Sequence, residues 1–314
     1  MNVQQIIVET EEEGVRLDRW FRRRFPGLTH MRLEKLLRTG QVRVDGARAK
    51  SSARLVAGQI VRIPPLGEAP ERQRIEKPKP AASTDDAQML RDAVLYEDED
   101  VLVLNKPSGL AVQGGSGTKR HLDGMLDVFA RKGERPKLVH RLDRDTSGVL
   151  VLARRTSIAA ALTEAFRDRN VRKIYWALVI GHPPAGHGRI DLALGKRGTR
   201  GSEKIVPDPR GLQASTRFRV IQRKGEIAWL ALEPESGRTH QLRVHCTALD
   251  MPILGDGKYG GRKVFVNGAG EGMHLHSRFI SMVHPTGGRI EAQAPLPAHM
   301  LTSFKTFGFN PDKE

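Results

Sequence analysis

The 314-residue sequence contains one cysteine, Cys246. A lone thiol closes no intrachain disulfide, so a disulfide-framed secreted domain is excluded and a reducing compartment fits. No stretch of ~18 or more apolar residues occurs, so no membrane-spanning helix is expected. Residues 1–10 lack a basic segment leading into an apolar one, so no secretory signal is expected, and the cytoplasm is the expected location. There is no internal repeat of fixed period. Acids are scarce relative to bases: 36 Asp and Glu against 52 Lys and Arg leave a formal charge of +16. Such a charge selects a polyanionic partner. Nucleic acid is the usual one, because neutralising phosphates releases counterions. What remains is a chain 28% charged and 39% hydrophobic, ordinary for a globular protein and long enough for one large domain or two smaller ones.

Three regions differ in composition. Residues 14–63 hold 13 Lys and Arg against three acids, Asp18, Glu34 and Asp45. Leu17, Trp20, Phe21 and Phe25 recur there at helical spacing, and a second helix is expected from the N-cap Thr29 through Leu33, Leu36 and Leu37 to Gly40. Val42 and Val44 then alternate with polar residues into an Asp45-Gly46 turn, and another strand is expected at 59–63. Residues 64–91, with Pro64, Pro65, Pro70, Pro78 and Pro80 and a small polar stretch at 81–86, read as a linker. Residues 92–310 carry a mixed α/β pattern. Strands are expected at 101–104, 149–153, 173–179, 215–222, 227–233, 273–283 and 288–292, and helices at 122–132 and 157–168. Gly114-Gly115-Ser116-Gly117 lacks the ending of a phosphate-binding P-loop and reads as a plain loop. Residues 184–213, rich in Gly, Arg and Lys, suit a basic loop or hairpin against RNA.

Two dense segments carry candidate chemistry. In Leu138-Val139-His140-Arg141-Leu142-Asp143-Arg144-Asp145-Thr146-Ser147-Gly148, two acids, two Arg and a His stand beside an apolar strand. Charges so close to a core are costly unless paired, so they form either a structural ion network or a cleft that does chemistry. In Gly237-Arg238-Thr239-His240-Gln241-Leu242-Arg243-Val244-His245, Arg238 follows a glycine turn and is expected to open an alternating strand, its planar fork available to a carboxylate. A glycine-punctuated loop, Pro252-Ile253-Leu254-Gly255-Asp256-Gly257-Lys258-Tyr259-Gly260, lies beyond it.

With Asn105-Lys106-Pro107-Ser108-Gly109, these segments resemble the RluA-type pseudouridine synthases, most of all the RluC-like and RluD-like subgroup that modifies large-subunit ribosomal RNA. The resemblance covers residues 14–295 at least. Within it, Arg16-Leu17-Asp18-Arg19-Trp20-Phe21 and Gly40-Gln41-Val42-Arg43-Val44-Asp45-Gly46 resemble an S4 RNA-binding domain. The resemblance implies an α+β catalytic domain with a central mixed, largely antiparallel sheet, behind a small S4-like α/β domain. It implies an isomerase that turns specific uridines of RNA into pseudouridine, with large-subunit ribosomal RNA or a ribosome-assembly intermediate as partner. The glycosidic C–N bond breaks and the uracil rejoins through carbon without redox change or net hydrolysis, so no cofactor and no metal is expected.

The family also implies residue roles. Asp143 is the expected essential carboxylate and Arg238 its ion-pair partner. Tyr175 is expected to stack on the target base, Leu242 to line the pocket, and Arg141 to push into the RNA where the flipped nucleotide leaves space. Lys106, and in the first region Arg16, Arg19, Lys35 and Arg43, are the other expected substrate or RNA contacts. Ser236 departs from the Thr common before the Gly-Arg-Thr-His-Gln run, and Gln113 stands where many relatives have His.

Other readings of the same residues are weaker. Asp145 could pair with Asp143 as in glycosidases, but ordering of the loop through backbone hydrogen bonds is the expectation. His140 is expected to be structural rather than a base, and Ser147 fits no nucleophile elbow. His240 with His245, or His274 with His276, could hold a metal, yet no Cys cluster or carboxylate spacing accompanies them. A non-catalytic ribosome-assembly factor does not need Asp143, Arg238 and Tyr175 together. An enzyme of the same family acting on tRNA remains an alternative substrate assignment.

Overall fold

The computed structural model describes residues 3–66, 83–115, 118, 120–168, 170–183, 185–199 and 203–313. Residues 67–82 of the linker expected at 64–91, and Ser116 and Gly117 of the glycine run, lie outside these residues. The chain divides into two compact units, residues 1–79 and 80–314.

In the first unit, strand β1 (Gln4–Ile7), helix α1 (Leu17–Arg24), helix α2 (His30–Arg38) and strands β2 (Arg43–Val44) and β3 (Ile60–Ile63) follow in order. The helices form where apolar residues recur every three or four positions, and they bury Leu17, Trp20, Phe21, Leu33, Leu36 and Leu37 in one core with Val42, Val61 and Ile63. Thr29 caps α2 as expected, its hydroxyl accepting from Arg32 N at 3.3 Å. Asp45 and Gly46, at φ 48° and 75°, make the tight turn that follows β2. The sheet order is β1-β3-β2, all antiparallel. Strand β1 precedes the region in which elements were expected; its short Gln4–Ile7 run is largely exposed and carries little periodic signal.

The second unit opens on helix α3 (Thr84–Asp92), capped by Ser83 Oγ accepting from Asp86 N at 3.1 Å. This helix occupies residues expected to be linker. The polar run 83–86 is its N-cap and first turn, and Leu90 is buried with Leu102 and Leu104. Strands β4 (Val94–Glu97), β5 (Val101–Lys106), β6 (Lys137–Leu138), β7 (Ser147–Ala153), β8 (Val171–Ile180), β9 (His187–Asp191), β10 (Leu194–Arg197), β11 (Lys204–Pro207), β12 (Ser215–Lys224), β13 (Ile227–Pro234), β14 (Leu275–Val283) and β15 (Arg289–Gln293) follow. Helices α4 (Leu122–Met125), α5 (Thr156–Arg167), α6 (Gln241–Ala248), α7 (Gly257–Gly260) and α8 (Ala298–Phe307) intervene or close the unit. The helix expected at 122–132 is α4 plus a 3-10 turn ending at Phe129.

One ten-stranded sheet organises the unit, with path β4-β5-β7-β14-β8-β13-β12-β9; β15 pairs with β14 and β6 with β7. Every pair is antiparallel except β7–β14. The expected mixed, largely antiparallel sheet is therefore present. Strand β7 is buried along all seven residues, which is why it reads as an unbroken apolar run. The parallel pair brings Gly148 against Ser277. Gly148 has φ 104°, and a Cβ there would sit 2.2 Å from the Ser277 carbonyl oxygen, so the close approach of these strands requires glycine. Strands β10 and β11 pair as a two-stranded sheet, the hairpin alternative expected in the basic 184–213 region. Among the described residues no helix is long and apolar enough to cross a membrane.

Candidate active site

The charged segment 140–146 leads into β7, and strand order places β8 two positions away across β14. Between the segment, β8 and the start of α6 opens a cavity of about 340 Å³, lined by Arg141, Asp143, Tyr175, Arg238, Leu242 and Arg243 among others. That is within the size range of small-ligand pockets. Asp143 is mostly buried at its wall, its side chain 16% exposed.

The partner of Asp143 differs from the expected one. Arg243 Nη1 lies 3.5 Å from Asp143 Oδ2. Arg238 is exposed at the cavity rim, its Nε donating to the Gln213 carbonyl at 3.3 Å. The cause is the backbone. Residues 241–248 are helix α6, not the expected alternating strand. His240 turns the chain in the left-handed region at φ 53°, and the helix then carries His240 and Arg243, three residues apart, to one side. All six residues from Gln241 to Cys246 are buried, so neither helical nor strand periodicity was visible.

Arg243 is fixed from behind. Its Nε and Nη2 donate to Asp256 Oδ2 and Oδ1, both at 2.7 Å. This is the bidentate geometry a guanidinium makes with a carboxylate. Asp256 is 1% and Arg243 7% exposed on the side chain. Burial works against the guanidinium charge, but Asp256 and Asp143 outweigh it and raise the Arg243 pKa. Asp256 also caps α7, accepting from Tyr259 N at 3.3 Å. The glycine-punctuated loop thus supplies the second carboxylate of an Asp143–Arg243–Asp256 line. Neither Arg243 nor Asp256 was singled out from sequence; the usable signal was the second Arg of the motif at helical spacing from His240.

Tyr175 and Leu242 line the cavity. The Tyr175 phenol is pushed up to about 12 by burial, a hydrogen bond with Ser277 opposing and the charge of Asp143 adding. It therefore stays protonated at neutral pH. Arg141 is exposed at the mouth, where an arginine can reach RNA. His140 is structural: Nε2 accepts from Val151 N at 2.7 Å, and the ring stacks on Phe166 at 4.1 Å. Burial, helped by Lys173, pulls its pKa down to about 3. Asp145 orders the loop through its backbone, as expected: its carbonyl accepts from Ser108 Oγ at 2.8 Å, while the side chain lies 3.9 Å from Arg144.

Lys106 is a second correction. An RNA contact was expected, but the residue is 1% exposed. Nζ donates to the carbonyls of Pro107, Leu110 and Arg144 at 2.8, 2.8 and 2.9 Å. Burial draws its pKa down to about 7 against the opposing charges of Asp145 and Asp143. Three carbonyl acceptors use all three N–H of the ammonium, so the charged form ties the turn after β5 to the Asp143 segment. Lys106→Met leaves those carbonyls without their donor. It should lower stability by about 3 kcal/mol and lower turnover more than RNA affinity, as read by urea unfolding and filter binding.

In the first unit, Arg19 and Lys35 are exposed. Arg16 is held by Asp18 at 2.8 Å, and Arg43 by the carbonyls of Gly40 and Gly46 at 3.1 and 3.0 Å. Among the described residues no group of three or more His, Cys, Asp or Glu is arranged to hold a metal. His274 and His276 are instead bonded to Ser303 and Ser147.

Comparison with known proteins gives this geometry a class. A family model described as RNA pseudouridylate synthase matches residues 100–248. The ribosomal large subunit pseudouridine synthase C of Vibrio cholerae is 35% identical over 302 residues, 95% of each chain. Its counterpart in Escherichia coli is 36% identical over 305 residues, covering 94% of this chain and 93% of that one. The solved structure of human RNA Pseudouridylate Synthase Domain Containing 4 superposes with a TM-score of 0.60 at 30% identity, over 71% of this chain and 95% of that one. The chain belongs to the RNA pseudouridine synthase family and is an isomerase acting on RNA, as its motifs indicated.

Proposed function

We propose that Asp143 is the catalytic carboxylate of this enzyme and that large-subunit ribosomal RNA is its substrate. The convergence of Arg243 and His240 on Asp143 Oδ2, at 3.5 and 3.8 Å beside the cavity, carries the first part. The Arg243 guanidinium places positive charge beside the carboxylate whose oxygen must face the sugar or base. The target uridine swings out of the RNA into the cavity, with Arg141 taking up the space it leaves. Its uracil lies against the Tyr175 ring. The C1′–N1 bond breaks, the uracil turns, and C5 bonds to C1′. C5 gives up its proton and N1 gains one, so the product is an isomer and the sum needs no redox partner. A protein that only bound RNA has no use for a buried Arg243–Asp256 pair aimed at an acid in a cavity.

The ribosomal assignment is supported by the names of the two bacterial relatives and by the +16 charge. The first unit serves as an S4-like RNA-binding domain, and the sole cysteine, buried and free, suits work in the cytoplasm. Pseudouridine mapping of ribosomal RNA from cells with and without the protein tests the substrate. Large-subunit sites should vanish without it; loss confined to tRNA overturns the assignment. Arg19→Glu with Lys35→Glu should weaken RNA affinity by about tenfold and leave the single-turnover rate at saturating RNA nearly unchanged.

A further inference from the structure

Tyr259 joins two parts of the molecule that the chemistry above leaves separate. Its hydroxyl receives a hydrogen bond from Ile205 N on β11 at 3.3 Å and lies 2.6 Å from His240 Nδ1. A backbone N–H only donates, so the phenol oxygen accepts there and keeps its single proton to offer to Nδ1. With that proton accepted at Nδ1, the neutral imidazole carries its own on Nε2. Nε2 is the atom that faces Asp143 Oδ2 at 3.8 Å. Arg243 approaches the same oxygen, so Oδ1 is farther from both donors.

The hairpin end of this chain is clamped as well. Lys204 Nζ donates to the Lys258 carbonyl at 3.0 Å, and Lys258 Nζ to the Glu203 carbonyl at 3.2 Å. These bonds hold β11 against α7, and Tyr259 sits between. The hairpin also presents the exposed Lys196 and Arg197, paired with Glu203 and Asp208 at 2.7 and 4.0 Å, side chains of the kind that contact phosphates.

We infer that His240 and Tyr259 are positioning residues for Asp143, through which the seating of the β10–β11 hairpin, and RNA bound to it, sets the carboxylate. This rests on the reading of Asp143 as the catalytic acid. His240 is faced by Asp143 from the segment before β7, Arg243 from α6, and Lys258, Tyr259 and the cap Asp256 from α7; from β11 the Ile205 N–H reaches Tyr259 and the Lys204 ammonium the Lys258 carbonyl. Burial, with Arg243 and Lys258, lowers the His240 pKa against Asp143 and Asp256. Burial raises that of Tyr259. The resting pair is therefore a neutral imidazole and a protonated phenol.

Removing the Tyr259 hydroxyl frees Nδ1 to bind a proton. The imidazole pKa then rises, and an imidazolium forms beside Asp143, where it ties up the carboxylate. Single-turnover rates on saturating, unmodified large-subunit ribosomal RNA transcript test this with the full chain. Tyr259→Phe should lose about threefold at pH 8.5 and about thirtyfold at pH 6, an acid limb in the range of an ordinary histidine, with RNA affinity unchanged. Adding His240→Gln, whose amide donates without titrating, should remove the acid limb. An unaltered profile in Tyr259→Phe, a pH-independent loss that follows lowered thermal stability, or an acid limb that persists in the double variant overturns the inference. Asp143→Asn in the same assay separates the two readings. If it turns over RNA, the catalytic assignment has failed; if it is dead while Tyr259→Phe behaves as wild type, only the positioning role has.

Discussion

Asp143→Asn should lower the single-turnover rate at least a thousandfold, to ~10⁻³ of wild type or less, while RNA affinity stays within about twofold. The amide keeps the size of the carboxylate and can still accept from Arg243, but it carries no charge to offer the sugar or the base. Arg243 retains its bidentate bond to Asp256, so the variant has no reason to unfold. Filter binding and mass-spectrometric detection of pseudouridine on one RNA preparation read both quantities. Turnover at wild-type rate would remove Asp143 from the mechanism.

The second large effect belongs to Arg243. Arg243→Met strands Asp256, 1% exposed, without its cation. Breaking a buried pair from one side costs about 3–5 kcal/mol, whereas replacing both members by apolar groups is often close to neutral. Arg243→Met should therefore lose both stability and activity. Arg243→Met with Asp256→Leu should recover most of the stability, measured by urea unfolding, and none of the activity, because Asp143 still lacks its cation. Arg238→Ala, at an exposed rim position, should lower turnover far less than either. If Arg238→Ala were as damaging as Arg243→Met, the pairing described above would not be the one that matters in turnover.

The contrast between these two arginines shows what could be read from sequence. Strand β7 was legible because burial on both faces leaves an unbroken apolar run, and α1 and α2 because one face of each is wet. Asp143, Tyr175 and Leu242, named by motif resemblance, line one cavity. Helix α6 was not legible: a helix buried from Gln241 to Cys246 has no polar face to set the period. The choice of Arg238 came from the family resemblance, and the strand expected over these residues offered no reason to prefer Arg243. Lys106 misled for a different reason. Lysine is seldom fully buried, and only three converging carbonyls, drawn from the turn after β5 and from the Asp143 segment, make it so here. Helix α3 was hidden by proline and small polar residues just before it, which look like spacer until Ser83 is seen to cap a helix.

The insertion of β14 between β7 and β8 has a consequence for how the enzyme comes into being. Asp143 stands just before β7 and Tyr175 within β8, only 32 positions apart in sequence. Yet the strand that separates and aligns them is drawn from residues 275–283. During synthesis the two residues exist long before their spacing does. A nascent chain can fold its early hairpins, but it has no aligned pair of acid and aromatic until nearly the last strand arrives. Contacts of such long sequence separation also slow folding. Catalytic competence is in this sense a late event in the life of the chain, acquired when β14 slides into place and Gly148 lets it close.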